Sequence, residues 1–216
     1  MPDNEPFSSK QLPSREQLSS ELPSRLTHYL ADHGFASQRL TMRPIDESDK
    51  ALYRRLYCDE RVMRHICQPF THAEADKAFE TSIKATLKAL QHPDTPPSYM
   101  LWVIVEKASG HTTGVIGLNW DQTQRELAEI GIMMLPKAQG KLLADEAVIA
   151  LIKHSKKTLQ LSEIKACFSI KNLATKRIVK KLGFKQRSPS HPAHGIGDET
   201  SESQLEYFLS LAEESQ

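Results

Sequence analysis

Gln139-Gly140-Lys141-Leu142-Leu143-Ala144 lies where strand-forming residues, Leu127 to Leu135, give way to a helical run. A strand, a short loop and a helix start bring together backbone N–H groups without intrahelical acceptors, and the helix dipole favours an anion there. A diphosphate suits such a corner. Gly140 lets the chain approach closely, and Lys141 adds a cation. Upstream, Glu129 sets a carboxylate on the strand, placed to take a proton, to attract a cation, or simply to face solvent. Downstream, Asn172 opens another helix, a position where Asn caps well, and Ser169 precedes it on a strand. His191 and His194 sit in a Pro/Gly/Ser-rich stretch without an acidic or cysteine partner at ligand spacing, so no metal is expected.

The elements that must hold these residues can be read from periodicity. Residues 1–37 form a polar extension, Ser-, Pro- and Gln-rich, ending in a short amphipathic helix on Leu26, Tyr29 and Leu30. Arg39 to Pro44 alternates as a first strand stopped by proline. Asp49 to Cys67 and Ala73 to Leu90 predict two helices. After the breaker at 92–97, Tyr99 to Val105 and Gly114 to Trp120 predict an antiparallel hairpin, and Leu127 to Leu135 a fourth strand ended by Pro136. Leu142 to Leu159 carries one apolar stripe, with Lys153, Lys156 and Lys157 at its C-terminal end. Ile164, Ala166, Phe168 and Ile170 alternate as a fifth strand, a helix runs from Asn172 to Gly183, and Leu205 to Leu209 is the last strand. The fold class is α+β, a mixed sheet covered by helices. One domain over 38–211, with a tail at 212–216, fits a chain of 216 residues.

Composition narrows the function classes. With 39% hydrophobic and 25% charged residues the chain has the makings of an ordinary core. Its 28 Lys+Arg and 27 Asp+Glu leave a formal charge of +1, so no global field draws it to nucleic acid or to an anionic membrane. Cys58, Cys67 and Cys167 are odd in number and lack CxxC spacing, which fits free thiols. The N-terminal residues lack a secretory pattern and no apolar run approaches bilayer length, so a cytoplasmic protein is expected.

Four pieces in order carry a family likeness: Arg39 to Pro44 with Asp49; Glu129 to Pro136; Gln139 to Ala147; and Asn172 through Lys181-Leu182-Gly183-Phe184. Together they resemble the GNAT acetyltransferases over about residues 39 to 210, and specifically the Rim-type branch that modifies ribosomal-protein N-termini. The resemblance implies a mostly antiparallel sheet of six to seven strands, splayed after the fourth. It implies acetyl-CoA as cosubstrate, a primary amine as acceptor, and a monomer or homodimer. In the family the loop motif reads Gln/Arg-x-x-Gly-x-Gly/Ala; Gln139 and Ala144 match its ends, while Leu142 stands at its middle glycine. The implied coenzyme set is Met133, Met134, Leu135, Gln139, Gly140, Lys141, Leu142, Leu143, Ala144 and Asn172. Met133 and Met134 read equally as core filling. The implied oxyanion donor is a backbone N–H near Met134. Glu129 matches a position where Rim-type enzymes carry Glu, and is the candidate base. The usual tyrosine acid, four residues before Gly183, is replaced by Val179, which leaves Ser169 as a stand-in. His65, Phe70 and Trp120 are acceptor-pocket candidates whose plainer reading is packing. Beside catalysis stand two other expectations: a GNAT-fold acyl-CoA-binding or sensor domain without turnover, and an interaction protein working through residues 1–37.

Overall fold

In a computed structural model the described residues are 33–92, 95, 97–187 and 204–212. The expected helix at Leu26 to Leu30 and the pair His191 and His194 lie outside them. Among the described residues, eight strands form one sheet in the order β1-β2-β3-β4-β5-β6-β8-β7. They are β1 (Phe35–Ala36), β2 (Leu40–Pro44), β3 (Tyr99–Glu106), β4 (Thr112–Trp120), β5 (Leu127–Met134), β6 (Glu163–Ser169), β7 (Lys185–Arg187) and β8 (Gln204–Ser210). Every neighbouring pair is antiparallel except β5 and β6. Six of these strands are the ones periodicity predicts; β1 and β7 add two short ones at the sheet's edges, and β1 lies within the stretch read as extension.

Among the described residues five α-helices cover the sheet: α1 (Lys50–Tyr57), α2 (Glu60–Met63), α3 (His72–Gln91), α4 (Leu143–Lys157) and α5 (Leu173–Lys181). The stretch read as one helix from Asp49 to Cys67 is split because Asp59 adopts an extended conformation and accepts the N–H of Arg61, starting α2 afresh. Thr71 and Glu74 form a reciprocal capping box at the head of α3. Arg43 grips the buried Asp49 carboxylate through both terminal nitrogens, at 2.7 Å each, and so ties β2 to the start of α1.

Alternation along the strands builds two cores. Met100, Trp102 and Ile104 of β3, with Ile116, Leu118 and Ala128, pack on one face with Ala147, Val148 and Leu151 of α4 and Ile178 of α5. Leu101, Val103 and Val115 point to the other face, against Leu52, Tyr53 and Leu56 of α1 and Phe79 and Ile83 of α3. Among the described residues no helix is long and apolar enough to cross a membrane, and no group of His, Cys, Asp or Glu is arranged to hold a metal.

Candidate functional site

The sheet opens where β5 meets β6. β4 pairs with β5 along its length, from Gly114↔Met134 to Trp120↔Ala128. β6 meets β5 only at Leu127↔Glu163, Ala128↔Ile164 and Glu129↔Lys165. Past Glu129 the two strands diverge, so on this side Ile130 to Met134 have no strand neighbour. The expected splay after the fourth predicted strand is here, and its peptide groups are open to an extended ligand.

A tightly wound loop follows. Pro136–Ala138 makes a 3-10 turn, and Gln139 folds back so that its Nε2 donates to the Met134 carbonyl at 3.0 Å. Gly140 has φ 77° and Leu142 φ 59°, both left-handed. For a leucine this conformation costs about 1–2 kcal/mol, whereas glycine adopts it freely. Leu142 is the N-cap of α4, gives no side-chain cap, and is 52% exposed. The first-turn N–H groups of α4 therefore have no side-chain cap, which suits the anion cradle that the sequence implies.

Two carboxylates at the head of α4 would repel an anion, and each is turned aside. Asp145 is buried and accepts from Arg177 at 2.7 Å and Lys181 at 3.2 Å, joining α4 to α5. Burial pushes its carboxyl up, but the two cations outweigh that and hold it below its ordinary value. Glu146 accepts from Ser37 Oγ at 2.6 Å, from the Arg39 backbone at 2.7 Å and from Arg39 Nε at 2.6 Å. Arg39 also donates to the Lys141 carbonyl at 3.2 Å, bracing the loop from behind. Glu146 too sits below its ordinary value: burial raises it, and the bonds from Ser37 and Arg39 lower it further.

Two clefts adjoin at this opening. The first, about 290 Å³, is lined by Met133, Met134, Gln139, Gly140, Leu142, Leu143, Ala144 and Asn172, with Arg61, Arg64 and Arg177 around them. Leu135 and Lys141 do not line it: Leu135 is buried and donates its N–H to the Thr113 carbonyl, while Lys141 contributes its carbonyl to Arg39. The second, about 410 Å³, holds Glu129 and Ser169 together with Tyr57, Tyr99, Asn119, Gly131 and Cys167. His65, Met133 and Asn172 border both. Burial holds the Tyr57 and Tyr99 hydroxyls well above the ordinary phenol range, so both stay protonated donors.

Asn172 caps α5, its Oδ1 accepting from Thr175 N at 3.1 Å, while also bordering both clefts. Ser169 is buried at the end of β6, its Oγ accepting from Lys171 N at 3.2 Å. Glu129 is 41% exposed and stands 3.5 Å from Lys165, which also reaches Glu206 at 3.0 Å. Burial disfavours the Lys165 ammonium, yet Glu206 and Glu129 hold it charged above its usual range. Val179 is buried and lines the second cleft, so the position of the family's tyrosine is aliphatic. Phe70 lies tilted against Tyr57, ring centres 5.4 Å apart, and Trp120 is buried in the opposite core, so both are packing residues. Tyr57, Tyr99, Asn119 and the Arg39–Glu146 brace escape sequence reasoning because they meet only through the tertiary fold.

Solved structures share this architecture. A GNAT-family acetyltransferase from Bacillus anthracis superposes with a TM-score of 0.65 at 20% identity, covering 82% of this chain and 98% of its own. The ribosomal L7/L12 alpha-N-protein acetyltransferase RimL, apo form, gives 0.66 at 16% identity over 81% and 92%. Spermidine N-acetyltransferase from Vibrio cholerae, in complex with CoA and spermine, gives 0.64 at 16% over 80% and 95%. Residues 39–185 match the acetyltransferase (GNAT) domain. With more than half its length in that match and a splayed sheet opening on an anion cradle, the chain belongs to the GNAT acetyltransferase family.

Proposed function

We propose that the chain is an N-acetyltransferase of the Rim-type branch, moving an acetyl group from acetyl-CoA to a primary amine, either a protein N-terminus or a small molecule. One observation carries the reading: the cradle cleft and the Glu129 cleft meet along Met133, at the divergence of β5 and β6. The residues fit the coenzyme. The left-handed loop leaves the α4 N–H groups open to a diphosphate, and the edge of β5 beyond Glu129 is open to an extended arm. Bound there, acetyl-CoA supplies the activated acyl group.

The chain's own groups perform the rest. Glu129 takes a proton from the incoming ammonium, directly or through water, and gives a neutral nucleophile. The peptide N–H near Met134 stabilises negative charge on the acyl oxygen, a preorganised donor of the kind that dominates many rate accelerations. The second proton of the attacking nitrogen passes to the departing thiolate, and Ser169 is the candidate to relay it, taking that proton as it gives up its own, in place of the aliphatic Val179. We place the protein in the cytoplasm, as a monomer or homodimer.

Val179 also favours a second reading, a GNAT domain that binds acyl-CoA without turnover. Thermal denaturation with acetyl-CoA, followed by a thiol-release assay over amines and N-terminal peptides, tests both. At 100 times the dissociation constant the coenzyme stabilises the fold by about 2.7 kcal/mol. Absence of any shift rejects both readings, and a shift without thiol release selects the second.

A further inference from the structure

Across the floor of the second cleft run three rows of residues on one face of the sheet. Tyr99, Asn119 and Glu129 are register neighbours, as are Leu101, Gly117 and Gly131, and then Val115 and Met133. All of them line the cleft. The middle row has no side chain on either β4 or β5, so a bare strip separates the polar row from the row that leads to the coenzyme cleft.

The two glycines have different causes. A Cβ on Gly117 would meet Leu101 Cδ1 and the Met100 carbonyl oxygen at 2.9 Å, so internal packing accounts for it. A Cβ on Gly131 would meet nothing within 4 Å, and Gly131 is not among the residues of positive φ. Neither conformation nor packing calls for glycine there, and glycine inside a strand weakens it. The space above Gly131 belongs to the cleft. Gly131 also lies midway along β5 between Glu129 and Met133, about 6.6 Å from each at a strand's rise per residue. An amine travelling from the Glu129 carboxylate to the acyl group passes over it.

Charge limits the occupant as well. Among the described residues lining this cleft, Glu129 is the carboxylate, and Lys165 stands 3.5 Å from it. The walls are otherwise mainly aromatic and aliphatic. One partly compensated carboxylate suits a single ammonium and leaves the further charges of a polyamine without partners.

Building on the acetyltransferase reading, we infer that Gly131 is a specificity-determining residue. It reserves room for the substituents of the carbon that bears the acceptor amine, so that the acceptor is a singly charged amine on a branched carbon, as at a peptide N-terminus.

The test compares wild type with Gly131→Ala and Gly131→Val on two matched uncharged peptides, one beginning with Ala and one with Gly, and on spermidine. Wild type is expected to acetylate both peptides in preference to spermidine. Gly131→Val should lower kcat/KM for the Ala-initiated peptide by about 10–200-fold, the range set by one or a few methylenes in a fitted pocket. The Gly-initiated peptide, whose amine carbon is unbranched, should lose less than about threefold on the same scale, and Gly131→Ala should fall between wild type and Gly131→Val. The thermal shift with acetyl-CoA should be unchanged. The melting temperature without ligand should not fall, because a side chain favours the strand; a glycine kept for structure alone would instead make these variants less stable. Equal losses on the two peptides, no loss on either, or preference for spermidine overturns the inference. So does a wild-type protein that binds acetyl-CoA and leaves both peptides unmodified, which keeps the family of readings above alive. A wild-type protein without any acetyl-CoA shift removes the parent reading and this inference with it.

Discussion

The two ends of the cleft are built by different means. The end proposed for the coenzyme is made of backbone: a left-handed loop, an uncapped helix start and an open strand edge, braced by Arg39–Glu146 and Arg177–Asp145–Lys181. The end proposed for the acceptor is made of side chains from separate elements, with Tyr57 from α1, Asn119 from β4, Glu129 from β5 and Ser169 from β6. Backbone recognition tolerates wide variation in sequence as long as the loop keeps its conformation. Side-chain recognition does not, and it is there that relatives of one fold diverge in what they accept.

Substitutions can break this division or sharpen it. The largest effect is expected at the acceptor end: Glu129→Gln should lower kcat by about 10²–10⁴ and leave the acetyl-CoA thermal shift intact. Steady-state kinetics over pH would check it, and unchanged turnover would take Glu129 out of the chemistry.

Acid should act on the coenzyme end from behind. His154 of α4 is buried, stacked on Phe35 at 4.6 Å and edge-on to Trp102, and burial lowers its pKa from 6.5 to about 4. The neutral ring is the one that fits, so between those two values the unfolded chain binds the extra proton. The contribution of His154 to stability is complete above pH 6.5 and is lost as the pH drops towards 4, by about 2 kcal/mol once solvent screening is allowed for. Denaturant titrations at pH 7 and pH 4.5 measure this, and His154→Phe should flatten the dependence.

Cutting the brace comes next. Glu146→Ala removes the acceptor for Ser37 and both Arg39 donors, and should cost about 1–2 kcal/mol of stability. It should also raise the KM for acetyl-CoA without changing kcat; a fall in kcat of equal size would mean that the two ends are coupled. The smallest change is expected from Leu142→Gly. Relief of left-handed strain opposes the entropy that glycine gains on unfolding, so stability should move by less than about 1 kcal/mol. Coenzyme affinity, read by calorimetry, should tighten.

Legibility in the sequence follows the same division. β6 was readable because Ile164, Ala166 and Phe168 alternate over a full strand, and all three are buried on one face. β1 was not, because two residues cannot show a period. The coenzyme loop was readable as a contiguous motif, and Leu142 stood out as a departure from it, but its left-handed backbone needs coordinates to be seen. The partner of Glu146 lies 107 residues away, and no local pattern announces such a pair. Gly131 was visible only as a letter within a strand, since what sets it apart is empty space above it.

The divergence of β5 and β6 carries a last consequence for the life of the protein in a cell. A strand edge with bare peptide groups is a template on which any extended chain can zip, and soluble proteins ordinarily cover or charge such edges. On the proposed reading, the covering falls to the coenzyme. When that metabolite is scarce, freshly made copies should clump sooner and be degraded faster, so the abundance of the protein should track the supply of its own fuel.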